Sequence, residues 1–214
     1  MNKTILGLSG YSRAGKNLFA DICSSVLEEK YKCTCKQFAL AYALKKDCES
    51  FLKEKLNLDV WTEVTEEKSK FRELLVWFGK VQRQRTNGRY WTELLQKEYI
   101  SKSSADVILI TDIRYDEYEK DEVYWLKNEM NGKLIHISQY KTIDNVKQYT
   151  QAPNNDELKN DPRLIQKSDY LFEWQYYENM SYAQLLNSEE IRKNVEKCID
   201  EVMPGNYKQL IFNY

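Results

Sequence analysis

Residues 4–17 read TILGLSGYSRAGKN: an apolar run, a glycine, four further residues, then Gly-Lys followed by Asn17. An unbroken apolar run suits a strand buried on both faces. Downstream, KNLFADICSSVLEEKYK places Leu18, Ile22 and Val26 at helical spacing. The chain therefore has to turn from strand to helix within a short glycine-punctuated loop. In such a turn successive backbone N–H groups point inward, and the following helix adds the positive end of its dipole. Gly10, Ala14, Gly15, Lys16 and Asn17 are thus candidate ligands of a nucleotide's phosphates, with Lys16 reaching the β- and γ-phosphates. Arg13, inside the loop, leans over the same donor phosphates.

A second apolar run, DVILITD, has the form of a strand that delivers Asp112 to the carboxyl edge of a sheet, where a magnesium ion sits beside phosphates. Asp112 is accordingly the expected metal ligand. Asn17 stands where the phosphate-loop pattern has Ser or Thr, and its amide oxygen can accept from a magnesium-bound water.

Between these strands the spacing predicts helices in FALAYALKKDCESFLKEKL and in TEEKSKFRELLVWFGKVQRQR, with YWTELLQKEYIS continuing the helical material. A helix over 117–131, a strand at KLIHIS and a short strand at DYLFEW complete the pattern. Strands separated by helices imply a parallel sheet with crossover helices. The polar stretch 141–167 reads as a lid or mobile loop inserted before the last strand.

With 32 Lys and Arg against 33 Asp and Glu in 214 residues, no overall positive field exists to hold a long nucleic acid. Phosphate recognition must be local. The single histidine, His136, reads as a structural strand residue, which argues against a Ser/His/Asp hydrolase or a His-ligated zinc site. Five scattered cysteines without zinc-finger spacing read as reduced thiols. No secretory signal or stretch of about eighteen apolar residues is evident, so a cytoplasmic protein is expected, in the host cytoplasm if the source is viral.

Several segments together resemble the deoxynucleoside monophosphate kinases of bacteriophages, a branch of the P-loop kinases. The loop LSGYSRAGKN is similar to that family's, which commonly has Asp at the position of Asn17. FALAYALKK resembles its Phe-Ala segment leading to a lysine, RELLVWFGKVQRQRTNGRYW its series of arginine, paired leucines, glycine, arginine and tryptophan, and ITDIRYDE its Asp-Val-Arg-Phe segment. After DIRY the family usually has Pro-Asn-Glu, where this chain has Asp116, Glu117 and Tyr118.

The resemblance implies one α/β domain over 1–214, a three-layer P-loop kinase fold with a parallel sheet flanked by helices, an acceptor-binding helical region near 38–100 and a lid at 141–167. It implies ATP- and Mg²⁺-dependent phosphoryl transfer to a deoxynucleoside monophosphate. Arg72, Arg114 and either Arg83 or Arg85 are then phosphate clamps, because a planar guanidinium binds phosphate bidentately. Lys45 approaches the acceptor, and Trp91 offers a flat surface for a base. Partners would be small nucleotides, with no membrane and no nucleic acid, and a homodimer stays open. The alternatives are a P-loop kinase of another small metabolite or of a modified DNA base, and a nucleotide-binding regulatory protein without catalysis.

Overall fold

A computed structural model describes residues 3–203. The chain forms β1 (Thr4–Ser9), α1 (Lys16–Tyr31), β2 (Cys35–Phe38), α2 (Leu40–Leu56) and α3 (Thr65–Arg85). There follow α4 (Tyr90–Leu95), running into a π-helical turn at Gln96–Ile100, and β3 (Val107–Ile110). A short α5 (Glu122–Tyr124) likewise continues as a π turn, Trp125–Glu129. The remainder is β4 (Lys133–Ile143), β5 (Val146–Tyr149), α6 (Asn155–Lys167), β6 (Tyr170–Gln175), α7 (Tyr182–Leu186) and α8 (Glu189–Val202).

The six strands form one mixed sheet. β2, β3, β1, β4 and β6 are parallel neighbours in that order, and β5 is antiparallel to β4. Tyr140 of β4 faces both Tyr149 and Gln175, so β5 and β6 flank β4 on opposite edges. β5 therefore prolongs the β1 edge beyond the point where β1 stops, opposite His136. That places the β4–β5 hairpin at the carboxyl edge of the sheet, above the loop that leaves β1.

Alternation along the strands builds a core on each face. Leu6, Leu8, Val107, Leu109, Ile135 and Ile137 pack with Phe19, Ile22, Val26, Val195 and Ile199 on one side, under α1 and α8. Ile5, Ile108, Ile110 and Leu134 pack with Leu95, Trp125, Leu126 and Leu164 on the other, under α4, α5 and α6. A separate small cluster of Cys48, Leu52, Val60 and Phe71 joins α2 to α3. The five cysteines are free. No helix among the described residues is long and apolar enough to cross a membrane.

Three expectations need correction. The sheet is not wholly parallel, because the 141–167 region carries a hairpin strand. That region is also no irregular loop: it holds the end of β4, all of β5 and the whole of α6, whose Asn160, Asp161 and Leu164 are buried. Its helix signal was blunted by Pro162, which lacks the N–H an interior position needs. The helix expected at 117–131 starts only at Glu122, where the Asp121 carboxylate accepts the first helical N–H. A strand at Cys35–Phe38 was not expected at all, since it is four residues long with one buried side chain.

Candidate functional site

The turn after β1 is built around two glycines that tolerate no side chain. Gly10 lies at φ 116°, where a Cβ would stand 2.1 Å from the Ile137 carbonyl oxygen. Gly15 lies at φ 86°, where a Cβ would stand 2.0 Å from the Trp174 ring. Trp174 in turn donates its indole N–H to the Ala14 carbonyl at 2.9 Å. β4 and β6 thus hold the loop from beneath, a role for Ile137 and Trp174 that local sequence patterns did not signal.

Within the turn, Lys16 curls back so that Nζ donates to the carbonyls of Gly10 at 2.7 Å and Tyr11 at 2.8 Å. The ammonium is buried, and burial first, then the Arg114 charge, pulls its pKa down to about 8. Helix α1 has no side-chain cap, and no acceptor among the described residues engages the amides of Gly15, Lys16 or Asn17. Ser9 Oγ, at the root of the loop, is buried with no hydrogen-bond partner. Free amides, an uncapped helix end and a lysine bonded only to carbonyls are the donor set an oligophosphate takes.

Beside the loop opens a cavity of about 570 Å³. Ser12, Lys45, Arg72, Arg83, Trp91, Asp112 and Arg114 all line it. Asp112 accepts from the backbone N–H groups of Leu40 at 2.6 Å and Ala41 at 2.9 Å, so it caps α2 and fixes where Lys45 projects. Arg72 is exposed on α3 and makes no hydrogen bond or ion pair with any described residue, which leaves its guanidinium fork available. The Arg114 guanidinium, half-buried, reaches only Glu157 among the described residues, at 3.5 Å.

Other predicted residues have different surroundings. Arg83 is buried, and its guanidinium is consumed by Asp121, at 2.8 and 3.0 Å, and by Glu122, at 2.9 Å. It also stacks 3.8 Å from the centroid of the Tyr115 ring. Those carboxylates hold its pKa up against the opposing effect of burial. Arg83 is therefore a strut between α3 and α5 rather than a free clamp. Arg85 is exposed, bonded among the described residues only to Gln82, and does not line the cavity. Trp91 presents little surface: it is 5% exposed, donates to the Gly79 carbonyl and packs edge-on against Phe78 and Tyr90. Arg13 and Asn17 are exposed on the loop and the first turn of α1.

Magnesium needs a separate test of fit. Among the described residues no group of three or more His, Cys, Asp or Glu side chains could hold a metal ion. A lone carboxylate is nevertheless compatible with an ion that keeps its waters and is bound largely by substrate phosphates. Asp112 retains lone pairs beyond those used by α2, and it faces the cavity.

A second cavity of about 330 Å³ touches the loop through Tyr11 and Ala14. Its wall includes His136, whose Nε2 bonds Asp161 at 2.9 Å and whose Nδ1 bonds Ser138 at 3.3 Å. Glu157 and Asp161, absent from the expected site, both belong to α6 and both meet the loop. The Asn154-x-x-Glu157 pair, in which Asn154 Oδ1 accepts the Glu157 N–H at 2.9 Å, was the local signal for that helix start.

No protein-family model matches the chain, and no curated protein matches it.

Two predictions follow from this geometry. Arg83→Ala strands two buried carboxylates and should cost about 3–5 kcal/mol in urea unfolding, whereas Arg85→Ala should change stability by less than about 0.5 kcal/mol; equal effects would contradict the assignment. Because only charged Lys16 attracts phosphate, the affinity advantage of the native protein over Lys16→Met for tripolyphosphate should shrink as pH rises through about 8. A titration calorimetry series across that pH reads the ratio directly, and a constant ratio would show that Lys16 does not supply the charge.

Proposed function

We propose that the protein is an ATP-dependent phosphotransferase that converts a deoxynucleoside monophosphate to the diphosphate on a three-layer P-loop kinase fold. One observation carries the reading: Lys45, Arg72, Asp112 and Arg114, spread over 70 positions of sequence, line a single cavity that opens against the loop holding Lys16. The strand order, with β1 between β3 and β4 and the loop at its carboxyl end, supports it, since ligands of open α/β sheets bind in that crevice.

Phosphoryl transfer requires two phosphate groups in line and neutralisation of the charge on the transferring oxygens. In this reading the amides of residues 15–17 and Lys16 bind the donor's terminal phosphates. Arg114, beside both Lys16 and the cavity, faces the transferring group. Arg72 and Lys45 hold the acceptor phosphate. Leu44, Leu75 and Val76 offer an apolar wall to the acceptor's base. A magnesium ion at Asp112, with Asn17 reaching its water shell, would supply charge neutralisation across the donor phosphates. The resemblance to the bacteriophage deoxynucleoside monophosphate kinases points to the deoxynucleotide class.

Incubation with Mg-ATP and each common deoxynucleoside and ribonucleoside monophosphate, read as diphosphate formed, tests the proposal. At least one deoxynucleotide should turn over, and Lys16→Ala should lower that rate about 100-fold or more. ATP binding without turnover of any acceptor would favour a regulatory nucleotide-binding protein instead.

A further inference from the structure

The face of α6 that meets the loop carries two carboxylates one turn apart. Glu157 Oε2 accepts the backbone N–H of Ser12 at 2.7 Å, and its other oxygen lies 3.5 Å from Arg114. Asp161 bonds His136 at 2.9 Å and lies near Tyr11, whose hydroxyl pKa is raised by burial and by the Asp161 charge. Ser12 is therefore tied to the first turn of α6, and Tyr11 faces the turn that follows. The same helix lies between the two cavities: Asp156 and Glu157 line the larger, Asp161 and Ile165 the smaller.

A carboxylate on a backbone N–H and an arginine makes the contacts that a phosphate oxygen would make there. The Glu157 side chain is 14% exposed, so its charge is held inside the site and not in solvent. A phosphate on the Ser12 amide would meet that charge at contact distance, and the two anions exclude each other.

What fastens α6 is mostly polar. Asp156 pairs with Lys80 at 2.7 Å, Lys167 with Asp116 at 2.6 Å, and Lys159 with Glu117 at 3.3 Å. All three lysine side chains are about half exposed or more, so each pair holds weakly. Leu164 is the buried apolar anchor of the helix, whereas Leu158 and Ile165 are exposed. The middle of the helix is held more deeply, Asn160 accepting the Asp116 N–H at 3.2 Å, Arg163 donating to the Asp116 carbonyl at 2.8 Å and Asp161 bonding His136 at 2.9 Å, so the exchangeable part is the first turn, which carries Glu157.

We propose that α6 is an autoinhibitory clamp, in which Glu157 occupies the anion position of the loop and is expelled when the donor's phosphates bind. The inference rests on the phosphate-binding reading of the loop. It gives the Ser12 end of the loop an occupant in the unliganded protein, ahead of the free amides of residues 15–17, and makes phosphate access there depend on release of Glu157.

Tripolyphosphate is the probe, titrated calorimetrically into the full chain and into Glu157→Gln, which keeps the acceptor oxygen and removes the charge. Binding should tighten at least fivefold in the variant. In the native protein, tripolyphosphate should speed amide hydrogen exchange over 155–167 while slowing it at 15–18. Unchanged or weaker binding by a folded Glu157→Gln, or slowed exchange over 155–167 in the native protein, overturns the clamp. Should the variant not fold, the exchange measurement on the native protein decides alone. Absence of protection at 15–18 in both proteins overturns the phosphate reading of the loop and the clamp with it.

Discussion

The close approach of the loop to the sheet beneath it is the constraint on which the site depends. Gly10 touches the backbone of β4 and Gly15 lies on the Trp174 ring of β6, so the turn after β1 is fixed by two strands more than a hundred residues away. Neither glycine can be exchanged for a residue with a side chain without moving a carbonyl or an indole. The positive φ values at both positions add a second, independent reason. With the loop held from below, its amides and the start of α1 are left facing the crevice. Lys16, satisfied only by carbonyls, is kept there at the expense of burying its charge.

A second constraint converts the sheet edge into a site. Asp112 ends the segment after β3 and caps α2, so one carboxylate both terminates a strand and orients the helix that brings Lys45 to the cavity. The Arg83 cluster has the same character at the next level: a buried guanidinium between two carboxylates locks α3, which carries Arg72, to the start of α5. A chain with a net charge of −1 in this way gathers Lys45, Arg72, Lys80, Arg83 and Arg114 around one cavity, beside the carboxylates of Asp112, Glu122, Asp156 and Glu157.

Much of this was legible in the sequence because it is local. The β1 strand, the glycine loop and α1 follow from apolar runs, glycine and helical spacing within thirty residues. The strand ending before Asp112 and the long α3 follow in the same way. The rest depends on contacts that no window contains. Arg83 and Arg85 are two positions apart and point to opposite sides of α3, and only the distant Asp121 and Glu122 decide which side is buried. Trp91 looks like a stacking platform until Phe78, Tyr90 and the Gly79 carbonyl enclose it. Glu157 and Asp161 sit in a stretch whose polarity suggested a loop, because α6 packs on its neighbours largely through charges.

The proposed function requires the turn from Gly10 to Asn17 to bind the phosphates of a nucleotide. Backbone amide resonances of the isotopically labelled protein, followed while Mg-ADP is added, test it without any assumption about the acceptor. The largest saturable shifts should fall at Gly15, Lys16 and Asn17 and be lost in Lys16→Ala. Shifts confined to other parts of the chain, with these three amides unmoved at saturation, would contradict it.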